Sequence, residues 1–150
     1  MNMRLILLLS ALFFPGLAAF AQRDVRSVEA EARSKGIASY YHDKFVGRLT
    51  ANGEIFDNGK FTAASNKLRL GTYVKVTNLS NGRVVYVRIN DRMAATNKRE
   101  IDLASVAADQ LGFISQGLAK VIVEIVPAEE GKRAILAQRE LISSPRQNEL

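Results

Sequence analysis

The sequence predicts a mainly β protein, a small barrel of five or six short strands with one short helix. Two runs that alternate apolar and polar residues, 73–79 and 83–89, flank Asn81-Gly82. This dipeptide suits a tight hairpin because both of its residues tolerate positive φ. A further run, residues 118–126, alternates toward its end and stops at Pro127. So many short strands favour a barrel, since closure removes exposed sheet edges.

The remaining strands are short. Residues 36–41, which read GIASYY, form the first strand, and residues 62–64, which read TAA, form a very short second one. Between them, residues 43–60 are rich in Gly, Asn and Asp, and this loop is long enough to be functional. Residues 68–71 lead into the central hairpin.

One helix is predicted after the hairpin. Asp102 is the expected N-cap and Gly112 the expected C′ residue. Between them, apolar residues recur at helical spacing: Leu103, Val106, Ala107 and Leu111. A weak helix is also possible around residues 129–142, although Gly131 and mixed charges oppose it.

The chain divides into four parts. Residues 1–21 are a signal peptide, residues 22–35 a charged linker, residues 36–127 the barrel domain, and residues 128–150 a charged tail that is partly helical.

The signal peptide is predicted from one positive charge, Arg4, an apolar run over 5–19, and a small-x-small cleavage site before Gln22. An uncleaved membrane anchor is the alternative, but it needs roughly 20 apolar residues, and Pro15 interrupts this run. The sequence contains no cysteine, so neither lipid attachment at a cysteine nor a disulfide is expected. We therefore expect an exported protein, periplasmic or secreted, without a lipid or other stable membrane anchor.

Removal of the signal peptide leaves a basic chain of net charge +5, because Arg4 is the only charge lost. A basic exported domain favours an anionic partner, such as cell-wall polymer or a lipid surface, and not nucleic acid. We expect a monomer of one domain plus tails.

Candidate chemistry lies just past the second hairpin strand, where Asn90, Asp91 and Arg92 emerge from an apolar run. Asp91 is the candidate catalyst, although an aspartate after a strand commonly caps a turn. Tyr41 is a candidate sugar contact, although a strand aromatic is more often a core residue. His42 is the only histidine, which excludes a multi-histidine metal site, and neither a metal nor another cofactor is expected.

Five stretches between residues 36 and 126 together resemble one family. In order they read GIASYY, TANGEIFD, FTAA, LRLGTYVKVTNLSNGRVVYVRINDR and REIDLASVAADQLGF. They resemble the rare lipoprotein A group of double-psi β-barrel proteins, which act on bacterial peptidoglycan. The resemblance implies a six-stranded double-psi β-barrel and, by analogy with active relatives, an endolytic lytic transglycosylase that prefers glycan strands without stem peptides.

The family's catalytic carboxylates fall on Glu54 and Asp91. A third polar position, a histidine in the family, falls on Ser65. The Gly-Pro-Phe that usually follows Asn-Asp-Arg is replaced by residues 93–95, which read MAA, and the family's aromatic-His-Gly segment reads FVG at residues 45–47. These departures concern turnover and leave the expected fold unchanged.

The implied reaction cleaves a glycosidic bond without water. One carboxyl group can serve as the acid that protonates the leaving oxygen and then as the base that deprotonates the attacking 6-hydroxyl. We assign this role to Asp91, if partial burial favours its protonated form against Arg88 and Arg92. Glu54 would stabilise oxocarbenium-like charge or orient the sugar.

The residues Tyr41, Ser65, Asn90 and Arg92 are the candidates for substrate binding, while Asp57 and Asp102 are assigned structural roles. Two functions of other classes remain open. One is a non-catalytic glycan-binding module resembling the expansin-type relatives of this barrel, which the loss of the histidine at Ser65 favours. The other is a protein-interaction domain, which only the charged tails support.

Overall fold

The computed structural model describes residues 32–144, which contain a barrel of six strands closed on itself. The strands are β1 (Arg33–Tyr40), β2 (Thr62–Ala64), β3 (Tyr73–Asn78), β4 (Val84–Asp91), β5 (Ile101–Leu103) and β6 (Ala119–Val126). Around the barrel they follow the order β1-β5-β2-β4-β3-β6. The pairs β1–β5 and β2–β4 are parallel, and the other neighbours are antiparallel. The expected six-stranded barrel is confirmed.

The barrel interior is filled by the alternate residues of its long strands. In β3, for example, Val74 and Val76 are buried while Tyr73 and Lys75 are half-buried. Each fully buried aliphatic side chain contributes about 1.5 to 3 kcal/mol. The other large buried side chains are Val85, Val87, Ile89, Ile101, Leu103, Leu111, Phe113, Val121 and Val123.

The central hairpin is confirmed, but its turn differs from the expected one. The backbone N–H of Asn78 donates to the carbonyl of Arg83 at 2.9 Å, so the turn spans the four residues between them. Gly82 has φ +73°, whereas Asn81 has negative φ. Asn81 acts through its side chain, which donates to the Leu111 carbonyl at 2.9 Å. The turn therefore requires one left-handed residue and not two.

The helix predicted from residue 102 begins later, as α1 (Ser105–Leu111). Asp102 is not its N-cap, because it lies in β5, a strand that the sequence analysis did not identify. The cap position is Ala104, and the Ser105 N–H donates to the side chain of Asn58 at 2.9 Å. Gly112 ends the helix in the left-handed conformation, as predicted.

A second helix, α2 (Ala128–Ser143), occupies most of the segment predicted as a charged tail. It packs against β3 and β4. The amide of Gln138 accepts from the N–H of Tyr86 at 2.7 Å and donates to its carbonyl at 2.9 Å, so it satisfies backbone groups on β4. A Cβ at Gly131 would collide with the side chain of Tyr73, so only glycine permits this approach. Tertiary packing therefore stabilises a helix that propensity alone leaves weak.

The observed boundaries shift two predicted ones. β1 begins at Arg33, three residues inside the predicted linker, and α2 belongs to the folded part of the chain. The predicted signal peptide (1–21), most of the linker and residues 145–150 lie outside the described residues. Within the described part, no helix has the length and apolar character to cross a bilayer.

Candidate active site

A β-bulge at the end of β4 directs two polar side chains toward the β1–β2 loop (residues 41–61). β2 pairs with β4 in the register Ala63↔Ile89 and then Ala64↔Asp91, so Asn90 is an extra residue. The alternation of β4 is broken there, and Ile89 and Asn90 are both buried while Asp91 is half-buried. Bulges of this kind commonly re-aim a side chain beside an active site.

The carboxylate of Asp91 accepts three hydrogen bonds. Its Oδ1 accepts from the backbone N–H of Ala51 at 2.8 Å and from that of Arg92 at 2.8 Å. Its Oδ2 accepts from the hydroxyl of Tyr41 at 2.6 Å. A hydroxyl can donate or accept, so Tyr41 is the one of these partners that can share a proton with Asp91 in either state.

Tyr41 contributes its hydroxyl to the site, while its ring packs on its own neighbours. The ring lies 4.3 Å from that of Phe56 and 5.8 Å from that of Phe45, centroid to centroid. The ring is thus in contact with aromatic side chains, and the predicted contact of Tyr41 with a sugar stays a prediction. Burial, and then the hydrogen bond to Asp91, raises the pKa of Tyr41 well above its usual range, so the hydroxyl keeps its proton.

Glu54 lies across the same loop in a different electrostatic environment. Its Oε2 accepts from the guanidinium of Arg88 at 2.8 Å and from the amide of Asn90 at 3.2 Å, and its Oε1 accepts from Asn52 at 2.9 Å. The hydrogen bond from Arg88, with those from the two amides, lowers the pKa of Glu54 to about 2. Glu54 is therefore an ionised group at neutral pH, with 40% of its side chain exposed.

The two arginines near Asp91 in sequence bind other groups. Arg88 pairs with Glu54. The guanidinium of Arg92 donates to the backbone carbonyls of Ser65 and Leu68, so it holds the β2–β3 loop (residues 65–72) in place. The sequence left open whether these guanidinium groups act on Asp91, and in the structure both bind other groups. Arg92 is exposed, and its contact with substrate stays a prediction.

Ser65 is buried and bonded to backbone groups. Its side chain is 0% exposed. Its hydroxyl donates to the carbonyl of Glu100 at 3.2 Å and accepts from the N–H of Lys67 at 3.3 Å. These hydrogen bonds are structural, and the predicted contact of Ser65 with substrate stays a prediction.

Asn90 and Asn52 orient Glu54. Asn90 is buried, and besides its amide contact to Glu54 its carbonyl accepts from the N–H of Asn52 at 3.2 Å. Asn52 and the Arg88–Glu54 pair were not predicted from the sequence. The available signal for Asn52 was its place two residues before Glu54 in the TANGE motif, where an Asn side chain reaches the backbone two residues on.

Asp57, Asp102 and His42 make local structural contacts. Asp57 accepts from the N–H of Gly59 at 2.8 Å, which is the expected turn. Asp102 accepts from Ser39 and pairs with Arg99 at 2.8 Å. His42 accepts from the N–H of Lys44 at the start of a 3₁₀ turn, Asp43–Phe45. Among residues 32–144 no group of three or more His, Cys, Asp or Glu side chains is placed to hold a metal ion.

The chain is similar to proteins that act on peptidoglycan. Residues 33–123 match the profile of a family described as lytic transglycolase. Over 97 residues the chain is 50% identical to "Endolytic peptidoglycan transglycosylase RlpA" of Haemophilus influenzae, covering 63% of this chain and 34% of that protein. Over 112 residues it is 46% identical to the protein of the same name from Pasteurella multocida, covering 74% of this chain and 38% of that one. The chain therefore spans less than half the length of these relatives.

Solved structures share the fold at low identity. A Streptomyces papain inhibitor superposes with a TM-score of 0.52 at 24% identity, over 63% of this chain and 94% of that one. An expansin from Clavibacter michiganensis superposes with a TM-score of 0.51 at 21% identity, over 63% of this chain and 50% of that one. These likenesses concern the barrel alone.

Proposed function

The chain belongs to the lytic transglycolase family of double-psi β-barrels, and from this premise we propose that it is an endolytic peptidoglycan lytic transglycosylase. Its substrate is the glycan strand of peptidoglycan, preferably without stem peptides, and its products carry 1,6-anhydro-muramyl ends. It acts as a monomer without a cofactor, in remodelling of the cell wall.

In the proposed reaction Asp91 first donates a proton to the glycosidic oxygen as the bond from that oxygen to C1 breaks. The resulting Asp91 carboxylate then removes the proton from the 6-hydroxyl of the same sugar while O6 forms a bond to C1. Asp91 ends protonated and no water is consumed. The hydrogen bonds from Ala51 and Arg92 fix one oxygen, so the Oδ2 side, which Tyr41 contacts, is the side that exchanges the proton.

Glu54 stabilises the positive charge that develops on the sugar ring. A group in this role must stay ionised throughout the reaction, and the pKa of Glu54, lowered to about 2 by the hydrogen bond from Arg88, fits that requirement. Asn52 and Asn90 hold its two oxygens, so the charge has a fixed position before the substrate arrives.

The observation that carries the proposal is the joining of two carboxylates with different environments at one edge of the barrel. Asp91 is bound by the hydroxyl of Tyr41, which can donate to the carboxylate or accept from the protonated carboxyl group. Glu54 is bound by the guanidinium of Arg88, which keeps it charged. The backbone of residues 50–54 links them, because Ala51 donates to Asp91 and Asn52 donates to Asn90. Such a division of environments is typical of acid and stabiliser pairs.

The experiment that tests the proposal is digestion of purified peptide-free glycan strands, followed by mass spectrometry. We expect internal cleavage and 1,6-anhydro ends. Products with ordinary reducing ends would indicate hydrolysis instead of the lyase reaction. The absence of any cleavage would contradict the proposal that the chain is an enzyme.

A non-catalytic glycan-binding module is the second candidate, and one observation favours it. Ser65 stands where the family has a histidine, and its buried hydroxyl, hydrogen-bonded to the backbone, offers no acid or base to a substrate. Strands that are bound but not cleaved would support this candidate. If so, Asp91→Asn and Glu54→Gln should bind the strands as the unmodified chain does.

Export is part of the proposal, although residues 1–21 lie outside the described residues. We expect the exported protein to begin at Gln22 and to be recovered in the soluble periplasmic or secreted fraction. N-terminal sequencing of the exported protein measures this. A product that begins at Met1 and sediments with membranes would contradict it.

Replacing Tyr41 with phenylalanine should lower the cleavage rate about tenfold or more, because it removes a hydrogen bond to a charged group. Tyr40→Phe is the matched control, because the hydroxyl of Tyr40 donates to the carbonyl of Ile114 away from the site. An unchanged cleavage rate in Tyr41→Phe would show that Tyr41 has only a packing role.

A further inference from the structure

A recess of about 360 Å³ lies between α2 and the barrel. Its apolar lining comes from both parts, with Phe61 and Tyr73 on the barrel side and Ile135 and Leu136 on the helix. The close approach at Gly131 and the Gln138 contacts to β4 fix the helix against the barrel. The recess is therefore formed by packing and does not depend on a loose segment.

The charged side chains that line the recess are cationic. Lys60, Arg88, Lys132 and Arg139 line it, and no carboxylate does. Arg88 pairs with Glu54, and Lys132 pairs with Glu129 on its own helix. Within the part of the chain that the structure describes, Lys60 and Arg139 form no ion pair. Two of the four cations that line the recess are therefore available to pair with an anionic ligand.

Arg88 connects the recess to the candidate active site. The same guanidinium lines the recess and donates to Glu54 at 2.8 Å. A ligand in the recess is therefore one side chain away from the carboxylate assigned to stabilise the sugar. The helix α2 lies beyond residues 33–123, which match the family profile, so the recess includes side chains from outside the matched region.

We propose that the recess binds the free lactyl group of an N-acetylmuramic acid unit on the glycan strand being cleaved. This group joins a carboxylate to a carbon that bears a methyl group. The carboxylate matches the cations Lys60 and Arg139, and the methyl group matches the apolar floor of Phe61 and Ile135. The inference rests on the proposed function, because it takes peptidoglycan as the substrate.

The proposed contact gives a physical reason for selecting peptide-free strands. When a stem peptide is attached, the lactyl carboxylate becomes a neutral amide and the group becomes much larger. The recess then loses the charge it would pair with and receives a chain that its volume of about 360 Å³ is too small to enclose. Selection would therefore arise at a binding step, separate from the chemistry at Asp91.

The experiment measures equilibrium binding with the Asp91→Asn chain, so that cleavage does not alter the ligand. Three ligands are compared: peptide-free strands, the same strands with the lactyl carboxylate converted to a methylamide, and strands that retain stem peptides. We expect about tenfold tighter binding of the first than of the other two, since two exposed cations each contribute about threefold. The preference should disappear near 0.5 M salt, because exposed charges are then screened.

The double variant Lys60→Gln/Arg139→Gln should bind all three ligands within about twofold of one another. Lys120→Gln removes one positive charge from an exposed position on β6 and should keep the preference. Equal binding of free and methylamide strands by the Asp91→Asn chain would overturn the inference even if the variants misfold. If strands with stem peptides bind more tightly, and the double variant loses that preference, the recess binds a carboxylate of the peptide and the inference is overturned. Because the readout is binding, failure of the inference is distinct from a failure to form 1,6-anhydro ends.

Discussion

Replacing Asp91 with asparagine should abolish the formation of 1,6-anhydro ends. In the proposed reaction one side chain both donates and accepts the proton, and an amide can do neither. General acid or base catalysis alone contributes about a hundredfold to ten-thousandfold. The rate should therefore fall at least about a thousandfold, as measured by mass spectrometry of digested peptide-free strands over a long time course.

The same variant should stay folded and bind glycan. The amide oxygen of the introduced asparagine can still accept from the N–H groups of Ala51 and Arg92, and its amino group can donate to the hydroxyl of Tyr41, which is able to accept. The loss of stability should be about 1 kcal/mol or less, or a shift of a few degrees in Tm. If Asp91 only capped a turn, the variant would instead lose stability and keep any activity.

Asp57→Asn is the matched control for this experiment. It makes the same chemical change in the same group of loops, where Asp57 accepts a single turn hydrogen bond from Gly59. Asparagine makes such turns as well as aspartate does. Activity and Tm should both stay close to those of the unmodified chain. If Asp57→Asn loses as much activity as Asp91→Asn, the loss in Asp91→Asn cannot be assigned to proton transfer by Asp91.

Local sequence predicts the strands in which apolar and polar residues alternate regularly. β3, β4 and β6 alternate over six to eight residues, and the structure has them within two residues of the expected bounds. β5 has only three residues, Ile101–Leu103, and it is held by pairing with β1 and β2. Because these partners are distant in sequence, no local pattern predicted the strand, and the local pattern around Asp102 indicated a helix N-cap.

The helix α2 shows a second limit of prediction from sequence. Its mixed charges and Gly131 argue against a helix when only propensity is considered. In the structure Gly131 is the point of closest approach to Tyr73, which a side chain would prevent. A residue that weakens the isolated helix is thus what allows it to dock, and no local pattern encodes that.

The candidate site was predictable in its residues but not in its connections. Motifs located Glu54 and Asp91, and the turn role of Asp57 followed from local chemistry. The pairing of Arg88 with Glu54 joins residues 34 apart in sequence. The bulge at Asn90 depends on the register with β2, and the burial of Ser65 depends on the distant segment that contains residue 100. Each of these is a long-range contact, so the sequence alone left the partners of the two arginines undecided.

Replacing Glu54 with glutamine should lower the cleavage rate about a hundredfold to a thousandfold, the usual loss for one preorganised stabilising group. Glutamine keeps the shape and can accept from Arg88, but it removes the negative charge and leaves Arg88 without an ionic partner. Glu124→Gln is the matched control. Glu124 is also a partly exposed glutamate paired with cations, Arg33 and Lys75, but it lies on β6, and its loss should leave the rate unchanged.

The pH dependence of Glu54→Gln separates a charge effect from a proton-transfer effect. Because the pKa of Glu54 is lowered to about 2, the unmodified side chain stays ionised from about pH 4 upward, and its contribution to rate is lost only as the pH falls toward 2. The ionised Glu54 also contributes to stability, with the same pH dependence. This contribution is present above the ordinary glutamate pKa and is lost as the pH falls through the lowered pKa of Glu54. It is small because the side chain is 40% exposed. Between pH 4 and 8 the rates of the variant and the unmodified chain should therefore differ by a constant factor. If the factor varies with pH in that range, Glu54 itself exchanges a proton during the reaction, and the roles of Glu54 and Asp91 must be reassigned.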